Sequence, residues 1–377
     1  MKKFLSLCLS VCLILGTFSV CTFAEGELNP TEKFFLKFEK YDADGDGIVS
    51  KEESRTAIDI DGDKTPSLSD ARKVLRVAAE LDEPVGADCD FNCDGTVSAE
   101  DARKAMKIAL GIDQSLVDVA EITEYLCEEL NSVKTEKPGF TRTVKQKCTS
   151  MKVTATGAPI EDMNANDIEY YQYLENSKKV LEKYKLLIVM ASGREEYEET
   201  IAAMDEAIAQ AKEIYNEQVT TKTVAKGSNY HNSYFPINYY SWACRLTEDD
   251  IKEITYGYDD DYITITAKLD DYKYTSKNYP YSSSSTDELK RLELPYGKAF
   301  NLPNTATGGG ATFNSLNLSN GKIVCKINKA TGSVVSADYS YSYVLGYSQA
   351  EDVSGSTVTM KLTQAASYSE NFVMLTE

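Results

Sequence analysis

Two near-copies of one segment occur in the first third of the chain: DARKVLR at residues 70–76 and DARKAMK at residues 101–107. Each copy follows a loop rich in carboxylates, and a third such loop lies just upstream, at residues 42–53. Residues 42–101 hold 17 acidic and 6 basic side chains, which is −11 of the net charge of −19. Because so dense a negative charge repels itself, we expect cations to bind here.

The spacing of the carboxylates is that of calcium loops. Ca²⁺ takes about six to eight oxygen ligands, and a 12-residue loop supplies them from positions 1, 3, 5, 7, 9 and 12, with Gly at position 6 for the turn. Loop one offers Asp42, Asp44, Asp46, the Ile48 carbonyl, Ser50 and Glu53. Loop two offers Asp59, Asp61, Asp63, the Thr65 carbonyl, Ser67 and Asp70. Loop three offers Asp90, Asn92, Asp94, the Thr96 carbonyl, Ser98 and Asp101.

Loop two departs from the pattern at two positions. Lys64 replaces the turn glycine, and a residue with a Cβ pays about 1 kcal/mol for the left-handed conformation required there. Pro66 has no N–H for a bridge between paired loops, whereas loops one and three have Val49 and Val97 at that position. We therefore expect two to three calcium ions, with loop two weak or empty. An alternative organisation pairs loops one and three as the working sites.

Loops two and three, each followed by one helix, resemble a type I dockerin over residues 59–111. The resemblance implies calcium-dependent docking to a cohesin-type scaffold module, as in cellulosomes, which act in polysaccharide catabolism. In that family loop positions 10 and 11 and a basic helix residue touch the partner. The corresponding residues are Leu68, Ser69, Arg76, Ala99, Glu100 and Lys107. The apolar helix positions predict a core between the two helices: Ala71, Val74, Leu75, Ala78 and Leu81, then Ala102, Ala105, Met106 and Ala109.

The first 24 residues have the three parts of a secretory signal. A basic start at Lys2 and Lys3 precedes an apolar run and a small residue, Ala24. The alternative is a retained membrane anchor. We expect a secreted or cell-surface protein with no membrane span after cleavage, and its negative charge argues against nucleic acid as a partner. Six cysteines remain after residue 24, and they permit disulfides without fixing their pairing.

The remaining pattern predicts an α+β fold. We expect a calcium module at 29–112, a linker helix within 113–139, and a domain at 140–377 with a helical hairpin packed on an antiparallel sheet. The predicted elements are a strand at 141–156, two long helices at 164–218, strands at 251–256, 262–266, 322–327, 334–343, 353–362 and 371–375, and a loop at 272–285.

Residues 140–377 contain no recognisable catalytic motif. His231 is the only histidine in the chain, and its pairing with Cys244 as a nucleophile is disfavoured. Alternating tyrosines such as Tyr339, Tyr341 and Tyr343 are either strand-forming core residues or a face for stacking on sugars or a protein. The sequence favours a protein that is not an enzyme: it docks to a cohesin through calcium loops and uses its second domain to bind a ligand or partner. The alternatives are a dockerin-borne carbohydrate-active enzyme and a calcium buffer or sensor with no cohesin partner.

Overall fold

The protein has an α+β fold, in which the described residues form helices and one nine-stranded antiparallel sheet. The computed structural model describes residues 34, 36–37, 40–46, 48–82, 89–117, 119–228, 244–279, 287–304, 310–353 and 356–375. The helices are α1 (Lys51–Ala57), α2 (Leu68–Ala78), α3 (Ala99–Ala109), α4 (Val119–Glu136), α5 (Tyr170–Lys183), α6 (Lys185–Ser192), α7 (Arg194–Glu213) and α8 (Asp287–Tyr296). The strands are β1 (Phe140–Thr156), β2 (Ala165–Glu169), β3 (Gln218–Val224), β4 (Ile251–Tyr258), β5 (Tyr262–Leu269), β6 (Tyr272–Thr275), β7 (Thr312–Asn328), β8 (Val334–Val353) and β9 (Ser356–Met374).

Four long strands form the centre of the sheet. The order is β2-β1-β9-β8-β7-β5-β4, and every pairing is antiparallel. The strand β1 is long enough to pair with β3 along its first half and with β2 along its second half. In the same way β7 pairs with β6 and then with β5. The long strands β1 and β7 each pair with two short strands in succession, so short strands extend a sheet whose central strands are 17 to 20 residues long.

The three short helices of the acidic region begin directly from the loops. Ser50, Ser67 and Ser98 are the N-caps of α1, α2 and α3, and each forms a capping box with the acidic residue three positions later. A capping box satisfies two backbone N–H groups that a helix start leaves unpaired. Loop positions 9 and 12 therefore serve as helix-start signals, whether or not a metal is bound.

One buried apolar cluster runs from the acidic region into the sheet. It includes Phe34 and Val74 near one end and Phe372 at the other. Phe34 stacks on Tyr125 of α4 with ring centroids 4.3 Å apart, and it meets Tyr256 of β4 edge-on at 6.3 Å. The predicted linker helix is thus α4, and its buried face belongs to the core that the acidic region and the sheet share.

Several sequence predictions need correction. The first of the two helices predicted at 164–218 is preceded by β2 and is interrupted at Tyr184, so three helices occupy the region. The loop predicted at 272–285 begins with β6, and Tyr274 and Tyr279 are buried. The strands predicted at 353–362 and 371–375 are one continuous strand, β9, which pairs with β8 along its whole length.

The strands predicted at 141–156, 251–256 and 262–266 are confirmed within a few residues. The strands predicted at 322–327 and 334–343 are present but too short, because β7 begins ten residues earlier, at Thr312, and β8 ends ten residues later, at Val353. The predicted signal segment 1–24 and His231 lie outside the described residues. None of the helices in the described part of the chain combines the length and the apolar character that crossing a membrane requires.

Candidate metal-binding loops and the helix pair that follows them

The three acidic loops share one hydrogen-bonding scheme. The carboxylate at position 1 accepts backbone N–H groups from within its own loop. In loop one Asp42 accepts from Gly45 at 2.8 Å, and in loop two Asp59 accepts from Gly62 at 3.0 Å. In loop three Asp90 accepts from Gly95 at 2.9 Å. The side chain at position 3 accepts from position 5, and the one at position 5 accepts from position 7, in all three loops. The loops therefore have the same local fold despite their differences in sequence.

The acidic residue at position 12 closes each loop. In loop three Asp101 accepts from the N–H groups of Phe91 and Asn92 at 2.7 and 3.1 Å, and its other oxygen accepts from Ser98 N–H at 2.8 Å. Asp70 makes the equivalent bonds in loop two, and Glu53 does so in loop one. Asp70 and Asp101 are fully buried. The position that calcium needs for its last ligand is therefore fixed by the loop itself.

The turn positions have the backbone conformation that the sequence predicted. Lys64 has φ +67°, in the left-handed region, while Gly95 takes the same role in loop three with φ +89°. Gly47 lies outside the described residues. Position 4 of each loop also has a positive φ: +72° at Gly45, +73° at Gly62 and +57° at Cys93. The sequence reasoning passed over this second turn position, although the glycines at 45 and 62 signal it.

The carboxylates of the first two loops converge on common points. The ligand oxygens of Asp42, Asp44 and Asp46 lie within 4.8 Å of one another, and those of Asp59, Asp61 and Asp63 do the same. Two like charges about 4 Å apart repel by about 1 kcal/mol in water and more near a protein surface. A divalent cation removes that repulsion, and hard cations such as Ca²⁺ prefer oxygen ligands. Each of these two carboxylate triplets therefore offers three oxygen ligands of the kind that Ca²⁺ prefers.

Two titrating groups in the loops have shifted pKa values. Burial raises the pKa of Asp90, and its hydrogen bond from Gly95 N–H only partly opposes this. Burial alone would raise the pKa of Glu53, but the combined hydrogen bonds from Ser50, Asp44 and Ala43 outweigh burial and lower that pKa. The Asp90 backbone carbonyl also accepts from Tyr41 Oη at 2.9 Å and from Lys40 Nζ. The chain before loop one therefore holds the start of loop three.

The residues after loops two and three form a matched helix pair. The helices α2 and α3 pack on each other, with Val74 and Ala105 buried at the contact side. Near the end of each helix a basic residue pairs with an acid six positions later: Arg76 with Asp82 at 2.6 Å, and Lys107 with Asp113 at 3.3 Å. The two copies thus repeat one structure as well as one sequence.

Three of the nine apolar positions predicted as core on these helices are exposed. We predicted Leu75, Leu81 and Met106 as core between the helices, and that prediction is wrong, because their exposed fractions are 49%, 66% and 38%. Ile112, which follows α3 as Leu81 follows α2, is 64% exposed. The predicted partner-binding residues Leu68, Ser69, Ala99 and Glu100 are also exposed, and Arg76 and Lys107 are partly so. The sequence gives no sign of which side of the stripe stays uncovered.

The tyrosine-rich strand forms core. Tyr339, Tyr341 and Tyr343 of β8 are at most 3% exposed, and Tyr339 meets Phe372 edge-on at 5.9 Å. Tyr347 is partly buried. The strand-forming reading of these residues is therefore correct, and they are not available for stacking on a sugar or on another protein.

Comparison of the chain with protein-family models, with curated proteins and with solved structures finds no match to any of them. The likeness to dockerins therefore rests on the loop and helix residues themselves.

Proposed function

We propose that the chain is an exported calcium-binding protein whose loops two and three, with α2 and α3, dock to a cohesin-type partner. The observation that carries this proposal is the exposure of equivalent apolar residues on both copies of the loop–helix unit, Leu75 with Met106 and Leu81 with Ile112. Large exposed apolar residues that cluster beside polar ones are typical of protein-binding surfaces. The residues at loop positions 10 and 11 of both copies are exposed as well.

Calcium acts in this proposal by organising the surface. The residues of loop three that would hold the ion are those assigned above, from Asp90 to Asp101, and their carboxylates are already oriented by backbone N–H groups. The ion supplies the positive charge that the acidic loops lack. Because positions 9 and 12 of loops two and three form the N-terminal capping boxes of α2 and α3, neutralising the loops stabilises the helices that bear the docking residues. The rest of the chain provides a further ligand- or partner-binding module in this proposal, and carbohydrate is one candidate.

The test is binding to immobilised cohesin modules in calcium and in chelator. Binding in calcium that is lost in EGTA supports the proposal, and a Leu75→Ser/Met106→Ser double variant should weaken it at least tenfold. The control is Leu186→Ser, which removes a still more exposed leucine from α6 and should leave binding unchanged. Binding that is indifferent to EGTA, or no binding to any cohesin tested, would overturn the docking proposal.

A specific contact favours a second candidate, a calcium sensor without a cohesin partner. The Val49 carbonyl of loop one accepts from Ser115 Oγ at 2.9 Å and from Tyr256 Oη of β4 at 3.4 Å. Calcium in loop one would therefore change the environment of a sheet residue. Hydrogen exchange of β4 and β5 amides should slow on adding calcium if this candidate is right, and unchanged exchange in the sheet would exclude it.

A further inference from the structure

Two cysteines far apart in the chain meet in the core. Cys127 of α4 and Cys244, which precedes β4, have their Sγ atoms 2.9 Å apart, with the Cys127 S–H directed at Cys244. The residues are 117 positions apart, and both are buried. A disulfide bond is about 2.05 Å long, so the sulfurs need to approach by about 1 Å more to form one.

The backbone around this contact is held independently of the sulfurs. Asn131 lies one helical turn after Cys127 on the same face of α4. Its Oδ1 accepts the Cys244 N–H at 2.5 Å, and its Nδ2 donates to the Cys244 carbonyl at 3.2 Å. The Cys127 Sγ also lies 3.8 Å from the Leu246 carbonyl. The helix and the extended segment are thus held together at this point by hydrogen bonds that do not involve the two sulfurs.

We propose that Cys127 and Cys244 form a disulfide bond. The oxidant is a low-molecular-weight disulfide such as oxidised glutathione. The thiolate of one cysteine attacks the small disulfide and releases one small thiol, leaving a mixed disulfide on the protein. The thiolate of the second cysteine then attacks the protein sulfur of that mixed disulfide and releases the second small thiol. Two protein thiols are oxidised, one small disulfide is reduced to two thiols, and the two protons of the protein thiols pass to the released thiolates.

Because the two cysteines are buried in the folded protein, their burial determines at which stage of folding the disulfide bond can form. In the folded reduced protein the hydrogen bond with Cys127 and the burial of the site both raise the pKa of the Cys244 thiol, and the thiolate is the reactive form. The bond therefore forms during folding, before α4 and the segment at Cys244 cover the sulfurs. Once formed, it is shielded from small thiols by the same packing.

The crosslink joins α4 to the segment before β4 and encloses β1, β2, β3 and the helices α5 to α7. α4 also contacts the calcium region through Phe34 and Tyr125. Closing so long a loop restricts the unfolded chain, which is the main way a disulfide stabilises a protein. This inference is independent of the docking proposal, because it concerns no residue of the acidic loops.

The experiment refolds the full chain in a mixture of reduced and oxidised glutathione. The product is then blocked with iodoacetamide in denaturant, digested without reduction and measured by mass spectrometry. We expect a peptide pair that contains Cys127 and Cys244 and is 2 Da lighter than the two free peptides. Recovery of both cysteines as alkylated thiols would overturn the proposal, and this readout uses the wild-type chain, so no variant has to fold.

Variants give a second measurement. Cys127→Ala, Cys244→Ala and the double variant should show the same loss of about 3–7 °C in Tm in oxidising buffer, because either substitution alone removes the whole bond. In reducing buffer the loss should shrink to that of a small packing change. The matched control is Cys148→Ala, a buried cysteine of β1, which should keep the 127–244 peptide pair. The proposal would be overturned if the Tm losses of the two single variants added up in the double variant and were equal in oxidising and reducing buffer. That result would show that the two residues contribute packing alone.

Discussion

Replacing Asp101 with asparagine tests whether loop three is a calcium site or only a helix cap. The side chain is fully buried, and its two oxygens accept four hydrogen bonds: from the N–H groups of Phe91, Asn92 and Ser98 and from Ser98 Oγ. Asparagine keeps the shape but turns one acceptor oxygen into an NH₂ donor and removes the charge. Hydrogen bonds to a charged group are worth about 1.5–3 kcal/mol each. The loss of two of them, with the remaining pair weakened, predicts a destabilisation of about 3 kcal/mol in chelator.

Calcium should enlarge that difference. A sensor-type loop binds Ca²⁺ with a Kd of about 10⁻⁵ M, so 1 mM Ca²⁺ is about 100 times Kd and stabilises the wild-type chain by about 2.7 kcal/mol per loop. The variant lacks the ligand at position 12 and loses this gain at loop three. The free-energy difference between wild type and Asp101→Asn should therefore rise to about 5–6 kcal/mol in calcium. Urea denaturation followed by far-UV circular dichroism, in EGTA and in 1 mM Ca²⁺, measures both values.

Loop two supplies the matched control. Asp70 is as buried as Asp101 and closes its loop through Asp61 N–H, Ser67 N–H and Ser67 Oγ. Asp70→Asn should cost about as much in EGTA, but the cost should change less in calcium if loop two, with Lys64 and Pro66, binds the ion more weakly, as its sequence predicts. An Asp101→Asn difference that is the same in both buffers would refute calcium binding by loop three and leave its carboxylate a structural cap.

Three further predictions follow from single residues. Lys64→Gly relieves the left-handed strain at φ +67° and should stabilise the chain by about 0.5–1 kcal/mol, measured by thermal melts. The same substitution should tighten calcium binding at loop two, measured by titration calorimetry. Weaker binding would contradict the strain argument. In the wild-type chain the buried Leu116 N–H donates to Ser54 Oγ at 3.0 Å. Ser54→Ala removes that acceptor and should lower the free energy of unfolding by about 1–3 kcal/mol. No change in urea denaturation would show that this contact does not hold the chain after α3 in place. Burial acts to raise the pKa of Glu169, but hydrogen bonds from Tyr215, Met151 and Ser150 outweigh it and leave the pKa below 4.5. The charged Glu169 side chain therefore stabilises the protein above about pH 4.5, and this stabilisation is lost as the pH falls through the lower folded-state pKa. The difference in the free energy of unfolding between wild type and Glu169→Gln should therefore shrink on acidification. A difference that does not depend on pH would refute the role of the charge.

The acidic loops could be predicted residue by residue because their structure is local. The side chains at positions 1, 3, 5 and 12 bond to N–H groups within the same 12 residues, so the spacing alone specifies them. The exposure of Leu75 and Met106 could not be predicted, because an apolar stripe does not show how much of its width a neighbouring helix covers. The strand β2 was missed because its residues, Ala165–Glu169, are mostly polar and acquire their conformation from pairing with β1.

The three loops lie in different environments, and we therefore expect a cation to have a different effect in each of them. Loop one is integrated with the rest of the chain: its Val49 carbonyl bonds to Ser115 and Tyr256, and its helix α1 bonds to the Leu116 N–H through Ser54. The corresponding residue of loop two is a proline, and the helices that follow loops two and three present exposed apolar residues instead. A cation in loop one would therefore contribute mainly to the junction with the sheet. A cation in loop three would contribute to the exposed apolar surface that we propose as the docking site.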